Sequence, residues 1–331
     1  MIDVKKIKYD AILLTAEGRK LRITELLQSL TWEENQSELA QRASMVFRNI
    51  PYAGTYLCGL AKLGAQLYIF SDWGAGMQEV FRGTIWDWDY KSSAKKDLTL
   101  IVYDNLVYMQ KSKDNKLYSA GTSSKTIILD IFETWGIPIN TYQGPDVALG
   151  KKVFRNRYIS DMIFETLDDA KKRGAGRFVV RGVKGNVQIL PRGSNQSVYH
   201  FGADSNTIMT GDKLSMDDLI TRVKIIGKED SEGRAPVEAV LDGKTEFGIL
   251  QEIYHRDQED SLAAAKQAAQ EILNERGTPK RTTSLQAPDL PFIRKGDKIH
   301  VAAGNLTGYF YIAGVQHDAT NGKMLMEVEA A

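Results

Sequence analysis

The side chains able to do chemistry are few and scattered. Four histidines, His200, His255, His300 and His317, form neither His-x-x-x-His nor His-Glu-x-x-His, so the helical zinc-protease pattern is absent. They read as isolated surface or turn positions. Asp87 and Asp89 share one side of a strand, a spacing that a glycosidase pair or a metal would use, but they alternate with Trp86 and Trp88. One aromatic face and one acidic face is the pattern of a half-buried barrel strand. Gly174-Ala175-Gly176 follows a helical stretch instead of opening one, the reverse of an anion-binding loop. Gly243-Lys244-Thr245 lacks the upstream glycine of a phosphate loop. Glu229, Asp230 and Glu232 lie beside Gly233 and read as a solvated loop. No catalytic, cofactor-binding or metal-ligating residue is assigned, no cofactor is expected, and the chain reads as a non-enzyme that hydrolyses neither peptidoglycan nor nucleotides.

One turn offers a different kind of site. Trp73 sits within the 72–76 turn beside Gly74 and Gly76, with Met77 just after it. Large aromatics at exposed tips anchor protein interfaces, so Trp73 and Met77 are the candidate interface residues. The alternative is a tryptophan folded back over its own barrel, and the residues alone leave both open.

Composition bounds the rest. The 331 residues are 43% hydrophobic and 26% charged, enough to bury cores in two or three domains. Lys and Arg number 43 against 42 Asp and Glu, a net charge of +1, so no long-range field draws the chain to nucleic acid or to an anionic membrane. The single Cys58 excludes an intramolecular disulfide and reads as a small buried or half-buried residue. Lys5, Lys6 and Lys8 precede only four apolar residues, too few for an export signal, and no stretch approaches the ~20 apolar residues that span a bilayer. Synthesis in the cytoplasm follows as the expectation.

The elements that would position these residues fall into three groups. Strand patterns cover 9–15, 20–23, 26–32 and 43–47, followed by a meander of 66–71, 79–90 and 97–103. Between about 105 and 205 the period changes. Ser123 or Ser124 caps a helix burying Ile127, Ile128, Ile131, Phe132 and Trp135, and a second helix starts at Ser160. A hairpin joins 178–183 to 187–190 across Lys184-Gly185-Asn186. The remainder shows strands at 222–226, 237–241 and 245–254 with a turn at Asp242-Gly243. A helix over 260–276 follows, with the stripe Leu262, Ala265, Ala269, Ile272 and Leu273. Strands at 297–302, 309–315 and 323–329 close the chain around Asn321-Gly322. The fold class is β-rich α+β. Residues 1–104 form an N-terminal β-barrel, 105–204 an α+β module, and 205–331 a second barrel into which the 260–276 helix is inserted.

Four segments carry a resemblance to a known family. They are the 18–32 stretch ending in Ser29-Leu30-Thr31-Trp32 with the strand 43–47 after it, Glu79-Val80-Phe81-Arg82-Gly83-Thr84-Ile85, the helix pair with its hairpin, and Arg276-Gly277-Thr278-Pro279 followed by Ile293-Arg294-Lys295-Gly296-Asp297-Lys298-Ile299. In this order they resemble the baseplate hub proteins of contractile phage tails, of the type found in the PBSX prophage and in phage-tail-like bacteriocins and similar to the late control protein D. The resemblance implies that both barrels are tail-tube-like. It further implies a homotrimer whose six barrels form a pseudo-sixfold ring, with the hexameric tail tube protein on one side, the trimeric spike protein on the other and further baseplate proteins around it. Incorporation into a phage or phage-tail-like particle follows from the same likeness, with no membrane and no specific nucleic acid as partner. Two other classes compete with this reading: a phage-associated cell-wall-degrading or wall-binding protein, and a small-ligand barrel unrelated to tails. Against the first, the chain ends directly after its last hairpin without a surplus domain bearing a paired-carboxylate or metal signature.

Overall fold

The computed structural model describes residues 3–92, 96–227, 235–256 and 261–331. The acidic group Glu229, Asp230 and Glu232 and the first helical position, Asp260, lie outside them. Two compact units are present, Met1–Thr210 with Ser284–Ala331, and Gly211–Thr283.

The first unit is built on one long, mostly antiparallel sheet. Its N-terminal part runs, in spatial order, Lys20–Arg22, Lys8–Leu14, Gln66–Asp72, Gln78–Lys91, Asp97–Tyr103, Arg42–Arg48 and Leu27–Glu34. Alternation decides which face is buried: Met45 and Phe47, Leu67 and Ile69, and Leu98, Leu100 and Val102 all point into one core with Trp32. Gly83 is required where the long Gln78–Lys91 strand crosses its neighbour. A Cβ there would stand 2.3 Å from the backbone oxygen of Tyr103.

Past Leu27–Glu34 the ladder continues without a break. That strand pairs with Leu306–Asp318 in the register Val315↔Glu34 to Asp318↔Thr31, and Leu306–Asp318 pairs in turn with Lys323–Ala330 and Lys298–Ala303. These C-terminal strands enclose a separate core of Phe201, Leu285, Ile299, Val301, Ile312, Met324 and Met326. Tyr199–Gly202 joins this part in parallel with Lys298–Ala303.

A third core belongs to the middle segment. Helix Ser124–Thr134 starts at Ser123, whose Oγ accepts the Thr126 N–H at 3.2 Å, and buries Ile127, Ile128, Ile131 and Phe132. It packs with helix Ile159–Lys172 and with the hairpin of Phe178–Val183 and Asn186–Pro191.

In the second unit, helix Leu262–Arg276 is capped by Ser261, whose Oγ accepts the Ala264 N–H at 3.1 Å. The helix buries Ala265, Ala269 and Leu273 against Val223 and Ile225 of a three-stranded sheet. The insertion into the C-terminal strands is thus larger than one helix: Gly211–Thr283 carries its own sheet and its own core. The strand expected over 245–254 is not formed as such. Thr245–Phe247 is a 3-10 turn, and Gln251–His255 runs parallel to Arg222–Ile226, whose other side pairs with Val237–Asp242. Thr221 sets this detour, because its Oγ1 donates to the Gly248 carbonyl at 2.7 Å and accepts the Leu250 N–H at 2.8 Å.

Candidate functional site

The structure first answers where the singled-out residues sit. In the 72–76 turn, Asp72 Oδ1 accepts the N–H groups of Gly74 at 2.8 Å and Gly76 at 3.1 Å. Trp73 does not stand free at the tip: its ring lies 5.2 Å from that of Phe292, which lies 5.0 Å from Tyr199. It is half-buried, whereas Met77 is 46% exposed. Part of the indole is therefore committed to its own unit. Trp73→Ala is expected to lower the melting temperature by about 2–6 °C, since a half-buried aromatic packed on a ring neighbour carries about 1–2 kcal/mol. Differential scanning calorimetry checks this, and an unchanged melt would mean the Phe292 contact contributes nothing.

Asp87 and Asp89 are both exposed, and Asp89 faces Lys91 at 3.5 Å. A register shift between Ile85 and Asp87 breaks the alternation there. Trp86 turns toward Tyr103 and Tyr108, while the 39% exposed Trp88 donates its indole N–H to the Cys58 carbonyl. The face is solvated, with no enclosed carboxylate.

The histidines depart from the surface reading. His317 is fully buried, its ring stacked on Trp32 at 4.5 Å. Its Nδ1 meets Asp289 Oδ1 at 2.6 Å and its Nε2 meets the Ile293 carbonyl at 3.0 Å. The Ile293 carbonyl can only accept, so Nε2 donates to it, and Nδ1 shares a hydrogen bond with the Asp289 carboxyl. The Tyr9 hydroxyl donates to the other oxygen of Asp289. Burial, then the charge of Asp289, pushes that hydroxyl well above the ordinary tyrosine range. His200 and His300 face each other across paired strands, Nδ1 to Nδ1 at 2.8 Å, and only His255 is a lone exposed histidine.

The densest chemistry is a buried knot of charge that no local pattern announces. Glu34, at the end of its strand, is 3% exposed and accepts from Arg294 Nε and from the Lys295 N–H at 3.3 Å. Lys295 Nζ donates to the carbonyls of Glu38 at 2.8 Å and Asn35 at 3.0 Å. Arg181, from the middle hairpin, binds Asp297 Oδ1 at 2.7 Å, and Arg294 Nη2 donates to the Gly182 carbonyl at 3.1 Å. Gly296 allows the loop to lie this close: its φ is +86°, and a Cβ would stand 2.8 Å from Val179. Asp104 presses on Gly182, and its Oδ2 meets no protein donor.

Electrostatics follow from burial and neighbours. Burial raises the Glu34 carboxyl, but the charges of Arg294, Lys295 and Arg181 outweigh it and hold the group below its usual range. Burial pushes Asp104 up to about 7, against the N–H groups of Gln41 and Leu106 and with help from the charge of Glu34. Burial likewise lowers Lys295 to about 8, with Glu34 and Asp104 opposing. The knot ties the N-terminal sheet, the middle hairpin and the C-terminal loop together, which is a structural task. Among the described residues, no three His, Cys, Asp or Glu side chains stand together as metal ligands. No helix there is long and apolar enough to cross a membrane.

Comparison with known proteins adds a relationship. Residues 69–331 match the YQBQ-like family. No curated protein matches the chain. Among solved structures, the chain is similar to the 43 kDa tail protein of prophage MuSo2 from Shewanella oneidensis, with a TM-score of 0.65 at 12% identity over 98% of both chains. It is similar to a tail protein from Neisseria meningitidis MC58, with a TM-score of 0.63 at 14% identity over 97% of this chain and 95% of the other. A third similarity is to the E. coli c3393 protein, a type VI secretion component described as resembling phage T4 tail proteins gp27 and gp5. There the TM-score is 0.53 at 10% identity over 98% of this chain and 77% of that one. The β-rich architecture is thus that of phage and prophage tail proteins.

Proposed function

The chain belongs to the YQBQ-like family, and from that premise we propose that it is a structural baseplate hub of a contractile tail or tail-like particle. Three copies close into a pseudo-sixfold ring between the hexameric tail tube and the trimeric spike. Residues 1–104 and 205–331 each supply a tube-like barrel, and the 105–204 module braces them. The role is assembly, without catalysis and without cofactor, in a particle put together in the bacterial cytoplasm. The surface around Met77, with the exposed part of Trp73, contributes to contacts with the tube or a neighbouring copy.

The observation that carries this reading is the paired core. Two separate apolar cores, one around Trp32 and Phe47 and one around Ile312 and Met326, lie within a single hydrogen-bonded sheet. A chain that offers two sheet-built bodies side by side can present six positions from three copies, which is how a trimer meets a sixfold tube. Sedimentation equilibrium of the full chain, alone and with the spike protein, tests it. A three-chain mass in either condition is expected, and a monomer in both overturns the ring.

A further inference from the structure

A cleft of about 560 Å³ in the first unit is bordered by an unpaired strand edge. Strand Phe178–Val183 pairs on one side only, with Asn186–Pro191. The side on which its backbone groups are free follows from the register. The Arg192 N–H donates to the Arg177 carbonyl at 3.0 Å, and Phe178 stands opposite Pro191, which has no N–H to give. Residues 177, 179 and 181 therefore bond toward the hairpin partner, and 178, 180 and 182 point away from it. Gly182 confirms the parity, since its carbonyl is taken by Arg294 Nη2 at 3.1 Å. Phe178 and Val180 have no such partner among the described residues, and both line the cleft.

The walls and the far end of the cleft show what chemistry suits that edge. Half-buried Phe164 of the Ile159–Lys172 helix lines the cleft, and Leu167, Ile312 and Ala313, all buried, close it behind. At one end Arg177 and Arg192 both reach the same oxygen of Glu329, at 3.2 and 2.8 Å. Arg192 is nine-tenths buried, its side chain 9% exposed, and rests over the Tyr311 ring at 5.3 Å. A guanidinium has five N–H donors, so two of them sharing one carboxylate oxygen leave most of their donors unspent. Lys171 adds a further cation, held only loosely 3.9 Å from Asp168.

We propose that this cleft takes an extended segment of a partner polypeptide, added beside the unpaired edge at Phe178–Val180, with a carboxylate of that segment seated against Arg177 and Arg192. Main-chain bonds to Phe178 and Val180 give the docking, and Phe164 and Phe178 offer the apolar contact. The proposal does not depend on ring closure, and its test uses the full chain in whatever oligomeric state it holds.

Amide hydrogen exchange by NMR reads the edge directly. In the free chain the Phe178 and Val180 amides should exchange at least ~10-fold faster than those of Val179 and Arg181. The probe is the peptide acetyl-Val-Thr-Val-Glu with a free C-terminal carboxylate, and the control is amidated acetyl-Val-Thr-Val-Lys. The acidic peptide is expected to slow exchange at Phe178 and Val180 at least ~10-fold, and the lysine peptide to leave it unchanged. Arg177→Glu and, separately, Lys171→Glu, both at surface-exposed side chains, should each weaken the acidic peptide at least ~10-fold, with the thermal melt checking that the fold is kept. No protection at millimolar acidic peptide, equal protection by both peptides, or slow exchange of the two amides in the free chain overturns the proposal. Protection that appears with rising protein concentration alone would identify a second copy as the occupant and equally overturn it.

Discussion

Glu34→Ala is expected to cost about 3–5 kcal/mol, because it removes the carboxylate that accepts from the Arg294 guanidinium and the Lys295 N–H in a dry site. Two cations would stay behind. The Arg294 guanidinium would keep its bond to the Gly182 carbonyl but lose its carboxylate partner, and the attraction that holds Lys295 charged would weaken. Three parts of the first unit meet there, so the damage is not confined to one hairpin. Glu34→Gln preserves shape and hydrogen bonding and should cost less. Urea denaturation followed by fluorescence measures both variants, and a loss under about 1 kcal/mol for Glu34→Ala would show that the knot contributes little to stability. Acid has the same target. The folded Glu34 carboxyl is held below its ordinary value, so its contribution is complete above the unfolded value of about 4.3 and is lost as pH falls through the folded one.

The second large effect concerns Asp104 and has the opposite sign. Its folded pKa, about 7, lies above the unfolded value, so between the two the native state holds more protons than the unfolded chain. The favourable contribution is full below about pH 4 and is lost as pH rises through about 7, a swing on the order of 4 kcal/mol. Lys295, lowered to about 8, works the other way: its contribution is present above about 10.4 and is lost as pH falls through about 8. The two slopes together place a trough in stability between pH 7 and 8. Asp104→Asn keeps an oxygen for the Leu106 N–H and cannot ionise, so at pH 8 it should be about 2–3 kcal/mol more stable than wild type, with the advantage vanishing by pH 4. Chemical denaturation across pH 4 to 10 checks the profile. A variant that runs parallel to wild type at every pH would show that Asp104 ionises in the fold without cost.

Elements with local cause were legible in the chain. Ser123 as a cap, the buried run Ile127 to Phe132, the hairpin at Lys184-Gly185 and the stripe Ala265, Ala269 and Leu273 each follow from neighbours within a few residues. The family resemblance rested on such segments, and Gly83 and Gly296, both within them, prove to be points of close approach, to the Tyr103 backbone and to the Val179 side chain. Distance in sequence hid the rest. His317 reads as a surface residue until Asp289, Tyr9 and Trp32 are known to surround it, 28 to 308 positions away. Glu34 and Arg294 lie 260 positions apart, and a charge beside a strand end looks solvated until the partner strand covers it. The parallel pairings of Gln251–His255 and Tyr199–Gly202 escaped for a related reason, since a crossover leaves no turn motif. Trp73 was legible as a turn residue, but Phe292, its partner, was not.

The way the chain leaves and re-enters the first unit has a genetic consequence. It departs along Met209–Ser215 and returns along Lys280–Pro288, strands hydrogen-bonded to each other; the Ile208 N–H meets the Gln286 carbonyl at 2.8 Å, and Asp212 pairs with Arg281. Cut at these two strands, the polypeptide presents ends that are cross-strand neighbours, about 5 Å apart. Everything between them, with its own sheet, helix and core, is a cassette whose removal asks only for a tight turn. A coding sequence so arranged can trade that cassette for another by recombination at two points, while the strands on either side of it pass unaltered from one generation to the next.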